Sequence, residues 1–221
     1  MTKKEKVNKG STLLIPKKEW VPEKEIQGND EMVLTHPVMK KAFNKILQLH
    51  EMKHNIAFVS LCTSTRPYSK SLKWKNFKER YGDYADMIIC SNGGIIPIEF
   101  EECYPYLTYD AHGEKKYDEL YVRYVYARLK IFFEKFPYKY IIFNFRHNLR
   151  NVRSARAIRK QSSHPENIFI APSKKTYMMA KKNNFKPYSG YYPDLSHEVI
   201  KELDGIFKEI ERREKRKGVR K

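Results

Sequence analysis

Residues 56–61 read Ile-Ala-Phe-Val-Ser-Leu, a short and almost wholly apolar run that ends at Cys62. Three comparable runs follow it, at residues 86–90, 140–145 and 167–171. All four runs are continuous rather than alternating, which is typical of strands covered on both faces. Segments with helical spacing lie between them. Strands separated by helices predict an α/β fold, a three-layer sandwich with a mainly parallel central sheet.

The segments around these runs predict the organisation of the chain. An extended N-terminal arm is expected over 1–31, an α/β core domain over 32–193, and a C-terminal helix with a basic tail over 194–221. Asp194 is the predicted N-cap of that last helix. Another helix should start near Thr35 and hold Pro37 in its first turn. The clearest helix covers 117–136, and its predicted apolar face comprises Leu120, Tyr124, Ala127, Ile131 and Phe132.

The charge balance is the strongest compositional feature. Lys and Arg total 44 against 26 acids, which gives a formal net charge of +18 over 221 residues. Such an excess repels itself in a folded protein and favours a polyanionic partner, nucleic acid above all. A lysine-rich thermophilic composition is the other interpretation, but there the acids usually rise alongside the lysines.

Other function classes find little support in the sequence. No apolar run approaches the roughly 18 residues of a membrane span, and the N-terminus lacks the apolar core of a signal peptide. The three cysteines are too few for a disulfide framework, which favours a reducing, cytoplasmic location. Their spacing also lacks a CxxC pair and neighbouring histidines, so no metal and no cofactor are predicted.

The loop after the first strand is the leading candidate site. Cys62 ends the strand, and a nearby cation such as Arg66 would favour the nucleophilic thiolate. The alternative is a buried thiol that packs as a small hydrophobe. The next residues either contact a bound base or phosphate, or cap and pack the turn: Thr63, Ser64, Thr65, Pro67 and Tyr68.

The second predicted strand ends in a comparable loop. Asn92 and Gly94 belong to a turn that would allow close approach of the backbone to a ligand. Glu99 and Glu102 are then candidates to read the donor edge of a guanine-like base. Acids at the exposed start of a helix are the alternative interpretation.

A strongly basic stretch follows at 146–186. It contains eleven Lys or Arg and a single acid, Glu166. If its first part is helical, five cations fall within an arc of about 120°: Arg146, Arg150, Arg153, Arg156 and Lys160. With Lys174 and Lys175 these side chains are predicted to bind backbone phosphates, the alternative being a solvated helix face.

Two ordered blocks resemble archaeosine synthase, an amidinotransferase-like enzyme of archaeal transfer RNA modification. Cys62, Pro67, Tyr68 and Ser71 match the family's first motif, Pro-Cys, three residues, Lys-Pro-Tyr, two residues, Ser, two residues, His. The second block matches at Gly94, Pro97, Glu99, Glu101, Glu102, Tyr104, Pro105, Tyr109 and Asp110. The chain departs from the first motif at three positions, with Leu61 for Pro, Arg66 for Lys and Trp74 for His.

The resemblance implies a fold like that of uracil-DNA glycosylase and a reaction at the nitrile of a 7-cyano-7-deazaguanine base in tRNA, giving an amidine-type base. It implies Cys62, Arg66 and Ser71 as catalytic positions, and a radical-SAM enzyme or a catalytic paralogue as a possible protein partner. Two alternatives remain open. One is a non-catalytic RNA- or DNA-binding subunit with a decayed site, and the other is a base-excision enzyme.

Overall fold

The computed structural model describes residues 13–112, 114–146, 150–184 and 193–218. Two sheets form within these ranges, a five-stranded central sheet and a two-stranded parallel pair. In chain order the strands are β1 (Gln27–Asn29), β2 (Ile56–Leu61), β3 (Asp86–Ser91), β4 (Gly94–Pro97), β5 (Asp110–His112), β6 (Tyr140–Asn144) and β7 (Ile168–Ala171). The central sheet has the order β4-β3-β2-β6-β7, in which only β4 is antiparallel to its neighbour. The predicted α/β fold with a mainly parallel sheet is therefore confirmed.

Helices cover both faces of the central sheet. They are α1 (Asp30–Thr35), α2 (Pro37–Leu49), α3 (Leu72–Tyr81), α4 (Asp118–Lys135), α5 (Asn151–Gln161), α6 (Lys174–Asn184) and α7 (His197–Gly218). Phe58 of β2 packs against α3 through Phe77 and against α7 through Phe207. On the opposite face, Cys90 of β3 meets Tyr121 of α4 and Asn151 of α5. The arrangement is a helix–sheet–helix sandwich.

The strands on the two sides of β2 are reached by connections that run in opposite directions across the sheet. The connection through α3 leads to β3 on one side of β2, while α4 leads to β6 on the other side. The order of the strands therefore reverses between β2 and β6. In open α/β sheets such a reversal opens a crevice beyond the carboxyl ends of the two strands, where ligands bind.

The buried face of α4 differs from the predicted one. Ala127 and Ile131 are exposed, and the buried side chains are instead Tyr121, Val125, Arg128, Leu129 and Phe132. The predicted apolar face did not include Arg128. Its guanidinium, only 5% exposed, donates to the carbonyl oxygens of Leu34 and Gly93, so the face is rotated by about one residue, or about 100°.

Three predicted helix starts are also corrected. Helix α7 begins at His197 because the Ser196 Oγ accepts a hydrogen bond from the Val199 amide, so Asp194 is not its N-cap. His36 caps α2, whereas Thr35 ends α1, and Pro37 is the first residue of α2 as predicted. The basic segment becomes helical only at Asn151, which leaves Arg146 beyond the end of β6 and off the helix. Residues 147–149 and 185–186 of that segment lie outside the described ranges.

The described part of the N-terminal arm packs on the core. Leu14, Ile15 and Ile26 are buried, and the Trp20 ring stacks on Tyr104 at a centroid distance of 4.5 Å. Among the described residues no helix has the length and apolarity needed to cross a membrane.

Candidate functional site

Ser60 and Asn144 lie side by side where β2 and β6 approach the crevice. The Asn144 Nδ2 donates to the Ser60 Oγ at 3.3 Å, and both residues are almost fully buried. Cys62 directly follows β2, two residues beyond Ser60, and it lies within electrostatic range of both Lys73 and Tyr121. Its thiol is half-buried, and its amide donates to the Cys90 carbonyl at 3.0 Å, which fixes the end of β2.

The side-chain oxygen of Asn144 is a hydrogen-bond acceptor that lacks a donor. This Oδ1 atom is buried and accepts no hydrogen bond from any described residue, although the residue is only 1% exposed. An unsatisfied buried acceptor costs about 1–3 kcal/mol, so native proteins keep few of them. This acceptor lies at the carboxyl end of β6, beside β2, and is enclosed by protein atoms, so a ligand N–H group would reach it only after neighbouring side chains move.

A buried cluster of charge lies beside Cys62. Lys73 of α3 donates to the Asp194 carboxylate at 3.2 Å, and the two side chains are only 1% and 2% exposed. Arg146, which follows β6, donates to the same carboxylate at 3.0 Å. Lys73 and Arg146 therefore share one acid.

Electrostatics tie this cluster to the thiol. Burial lowers the pKa of Lys73, and the attraction of Asp194 restores only part of it. A Cys62 thiolate exerts a smaller upward influence on the pKa of Lys73, as it does on Arg66 and Tyr68, whose pKa values depend first on burial. All three side chains are thus within electrostatic range of the sulfur.

The opposite wall is built around Tyr109. The Arg66 guanidinium donates to the Tyr109 carbonyl and lies 4.1 Å from the centre of its ring. The Tyr109 hydroxyl bonds Tyr68 at 2.6 Å and also contacts the Ser91 Oγ. Burial, followed by the charge of Tyr68, holds the pKa of Tyr109 well above its ordinary value, so this wall is neutral apart from Arg66. Arg66 therefore binds Tyr109 and also lies within electrostatic range of Cys62.

The two glycines after β3 leave space for neighbouring side chains, Gly93 for Tyr109 and Gly94 for Arg128. A Cβ on Gly93 would meet the Tyr109 ring at 2.7 Å, and one on Gly94 would meet the Arg128 Nη1 at 2.3 Å. Gly94 also has φ of +120°, which side chains rarely adopt. The close approach predicted for this turn, which includes the half-buried Asn92, is made to side chains of the same chain.

The loop between β2 and α3 is held mainly by its second half. The Ser71 Oγ accepts from the Trp74 amide and donates to the Tyr68 carbonyl at 2.7 Å, so it caps α3. Pro67 and Tyr68 are buried, whereas Ser64 and Thr65 are exposed and Thr63 is half-buried. The cap fixes the first turn of α3, which contains Lys73.

The acids of the second block do not gather at the thiol. Glu99 bonds His50 at 2.6 Å, and His50 continues through Tyr138 to Asp86, the first residue of β3. Glu99 therefore lies at the amino ends of the strands, across the sheet from Cys62, and Glu102 is exposed on the following turn. Glu101, which was not chosen as a site residue, is buried and accepts from the Ser69 amide at 2.8 Å, next to Tyr68.

The other two cysteines differ from Cys62. Burial raises the pKa of Cys90 to about 12, which keeps this thiol protonated at neutral pH. Burial also raises the pKa of the half-buried Cys103. No group of three or more metal-ligating side chains occurs in the described ranges.

The structure separates the predicted phosphate-binding cations into two groups, and the first is paired with acids. Arg150 pairs with Asp30 and Asp118, and Arg153 forms a two-pronged pair with Glu119 at 2.7 and 3.0 Å. These acids come from α1 and α4, so the sequence of α5 alone does not reveal them. The remaining members lie farther along the surface: Arg156, Lys160, Lys174 and Lys175.

Three residues of the crevice were missed by the sequence analysis: Lys73, Asn144 and Asp194. Lys73 and Asp194 lie 121 residues apart and meet only in the folded chain. Asn144 had a usable signal, because an amide inside the apolar run 140–145 is unusual and strand ends border the predicted crevice.

Comparison with known proteins gives a family and a fold. Residues 39–184 match the family described as "Domain of unknown function (DUF5591)". The crystal structure of the archaeal protein AF0587, described as a protein of unknown function, resembles the chain with a TM-score of 0.51 at 17% identity. The match covers 74% of this chain and 48% of that one, so the chain spans about half the length of its structural neighbour. Among curated proteins, none matches.

Proposed function

The chain belongs to the DUF5591 family, and on that premise we propose that it modifies a 7-deazaguanine base in transfer RNA, converting a nitrile to an amidine-type group. The proposal rests on the resemblance of its two blocks to archaeosine synthase. It is supported by the position of those blocks, since Cys62 ends β2 and Tyr109 forms one wall beside it. The expected setting is the cytoplasm, with tRNA as substrate.

The chemistry begins at the thiol. The Cys62 sulfur adds to the electrophilic nitrile carbon, and the nitrogen takes up a proton, which gives a thioimidate. An amine donor then adds to the same carbon and the sulfur leaves as the thiol, which restores Cys62 and leaves the amidine. The second step moves a proton from the attacking amine to the leaving sulfur, and the first step needs a proton delivered to the nitrile nitrogen.

Lys73 is the group best suited to deliver that proton. Its side chain is buried, and burial lowers its pKa, which makes the ammonium group a stronger acid and a better proton donor. Asp194 fixes its position at 3.2 Å. This role compensates for the family's motif histidine, here Trp74, which is buried and packs edge-on against Phe77.

The base would be held at the floor of the crevice. The free Oδ1 of Asn144 matches the N–H groups on the edge of a guanine-like base. Tyr68 and Tyr109 supply the wall, and Arg66 spans them. The single observation that carries the proposal is the position of Cys62 and Asn144 at the carboxyl ends of two neighbouring strands, β2 and β6, where the strand order reverses.

The test is conversion of 7-cyano-7-deazaguanine in tRNA, followed by mass spectrometry of the nucleosides. Cys62→Ala should abolish turnover and leave tRNA affinity within about twofold, because the thiol contacts the reacting carbon and not the backbone. Cys103→Ala, which removes another half-buried thiol, is the matched control and should retain turnover. Equal turnover of wild type and Cys62→Ala would refute the thiol mechanism.

A non-catalytic tRNA-binding subunit, acting with a catalytic paralogue or a radical-SAM enzyme, is the second candidate. One observation favours it: the family's lysine is Arg66, and a guanidinium neither gives nor takes a proton near neutral pH. This candidate expects no turnover by the isolated chain, and turnover by the partner that rises when the chain is added.

A further inference from the structure

A basic groove of about 570 Å³ runs beside β7, the edge strand of the central sheet. Its four cations are Arg156, Arg159, Lys160 and Lys174. The other described side chains that line it are Val152, Pro165, Ile170, Pro172 and Ser173, so no acid is among them. We infer that this groove binds the phosphate backbone of single-stranded RNA next to the base that enters the crevice. The inference rests in part on the proposed function.

Charge sets this groove apart from the rest of the basic segment. Arg150 and Arg153 are neutralised by acids of α1 and α4. The groove cations project from the last turns of α5 and the first turn of α6, and Lys160 and Lys174 form no salt bridge with a described acid within 4.0 Å. Two neighbouring lysines without a paired acid favour phosphate as their counter-charge.

Two acids border the groove, and neither forms a salt bridge with Lys160 or Lys174 among the described residues. Glu202 of α7 accepts from the Ser173 amide at 2.7 Å and from its hydroxyl at 3.1 Å. Glu166 follows Pro165 and contacts His164. The Arg159 Nε donates to the Pro165 carbonyl at 3.2 Å, which holds that arginine along the groove wall.

The groove also lies at a useful distance from the crevice. Pro172 and Lys174 follow the carboxyl end of β7, and β7 is separated from β2 only by β6. Neighbouring strands are about 4.8 Å apart, so the upper end of the groove lies roughly 10 Å from the strand that carries Cys62. A strand whose base occupies the crevice would therefore bring its flanking phosphates to these cations.

The apolar side chains favour a single strand over a duplex. Among the apolar side chains in the lining, Pro165 is exposed and Ile170 is half-buried, so they offer a surface for exposed sugar and base faces. Duplex DNA and heparin are therefore the competing polyanions in the test.

Lys174 and Lys175 provide a matched pair of variants. Both are exposed residues in the first turn of α6, but only Lys174 lines the groove. Binding of a fluorescein-labelled poly(U) oligonucleotide, measured by anisotropy over a salt series, should weaken about tenfold for Lys174→Glu, with a salt slope lower by about 0.7. Lys175→Glu makes the same change in net charge and should stay within about twofold. Equal losses for the two variants would overturn the inference, and so would displacement of poly(U) by heparin alone.

Folding and function are controlled separately. Lys160→Gln/Lys174→Gln should weaken poly(U) binding with an unchanged thermal midpoint, and a midpoint that falls together with affinity counts against the groove. The binding test does not require turnover. If Cys62→Ala abolishes turnover while Lys174→Glu binds poly(U) normally, the inference about the groove fails and the proposed function stands. If Lys174→Glu loses poly(U) binding but the wild type shows no turnover, the groove stands and the proposed function fails.

Discussion

Lys73 donates a hydrogen bond of 3.2 Å to Asp194, and both side chains are almost completely hidden from solvent. Arg146 approaches the same carboxylate from the end of β6. This cluster joins α3, β6 and the segment before α7 at the crevice that contains Cys62. Stability and chemistry at this end of the sheet therefore depend on the same charges.

Asp194→Ala should destabilise the protein by about 3 kcal/mol, because it leaves Lys73 buried without its counter-charge. Urea unfolding followed by circular dichroism measures the change. The control is Asp204→Ala, since Asp204 is about 40% exposed and bonds Tyr81 at 2.8 Å. Its loss should cost about 1 kcal/mol or less. Equal costs would show that burial of the Lys73–Asp194 pair contributes little.

Acid should weaken this cluster in a defined direction. Burial alone would raise the pKa of Asp194, but the attraction of Lys73 and then Arg146 outweighs burial and lowers it. A carboxyl whose pKa is lower in the folded state stabilises the protein above its unfolded pKa of about 3.9, and this contribution is lost as the pH falls through the folded pKa.

The thermal midpoint of the wild type should therefore fall more steeply than that of Asp194→Asn as the pH is lowered from about 5 to about 3. The variant starts from a lower midpoint at neutral pH, since it has lost the charge that holds Lys73. Glu119→Gln is the control, because solvent screens this fully exposed carboxylate and its curve should follow the wild type. Parallel curves for wild type and Asp194→Asn would contradict the assignment.

The sheet was predictable because its strands are buried on both faces. Ile56–Leu61 and Tyr140–Asn144 are apolar almost throughout, a pattern that only a covered strand requires. Strand β4 was not predicted, since it is four residues long and starts at a glycine of positive φ. The buried face of α4 was misassigned for a different reason, namely that Arg128 is a core residue that satisfies two backbone carbonyls.

The candidate site was predictable only where it follows a strand. Cys62 was found because the apolar run stops there. Lys73 and Asp194 are two charged residues in a highly charged sequence, and nothing local distinguishes them from solvated neighbours such as Lys75. Their burial depends on the docking of α3 against the segment before α7. Pairing of Arg153 with Glu119 was hidden for the same reason, since the partners lie on different helices.

The two glycines Gly94 and Gly205 should respond to alanine in opposite directions. Gly94→Ala places a Cβ 2.3 Å from the Arg128 Nη1 at φ of +120°, so a loss of about 2 kcal/mol or more is expected. Gly205 lies inside α7, and a Cβ there meets nothing within 4 Å. Gly205→Ala should stabilise the protein by about 0.5–1 kcal/mol through helix propensity. Urea midpoints measure both, and a stabilised Gly94→Ala would contradict the packing of Arg128 on this turn.

Asn144→Leu separates a ligand-binding role from a structural one. Removing the side chain also removes the unsatisfied Oδ1, so the fold should lose little and the thermal midpoint should change by less than about 2 °C. Binding of the 7-cyano-7-deazaguanine nucleoside, measured by calorimetry, should weaken at least about tenfold, which corresponds to about 1.4 kcal/mol for a lost hydrogen bond to the base edge.

Ser60→Ala is the control for that substitution. This substitution removes the Ser60 hydroxyl that accepts from the Asn144 Nδ2 at 3.3 Å, but it leaves the Asn144 Oδ1 in place. Nucleoside affinity should therefore stay within about threefold of the wild type. A large fall in the midpoint of Asn144→Leu with unchanged affinity would assign Asn144 to the core. The base would then have to be recognised by the opposite wall, where Tyr68 and Tyr109 lie.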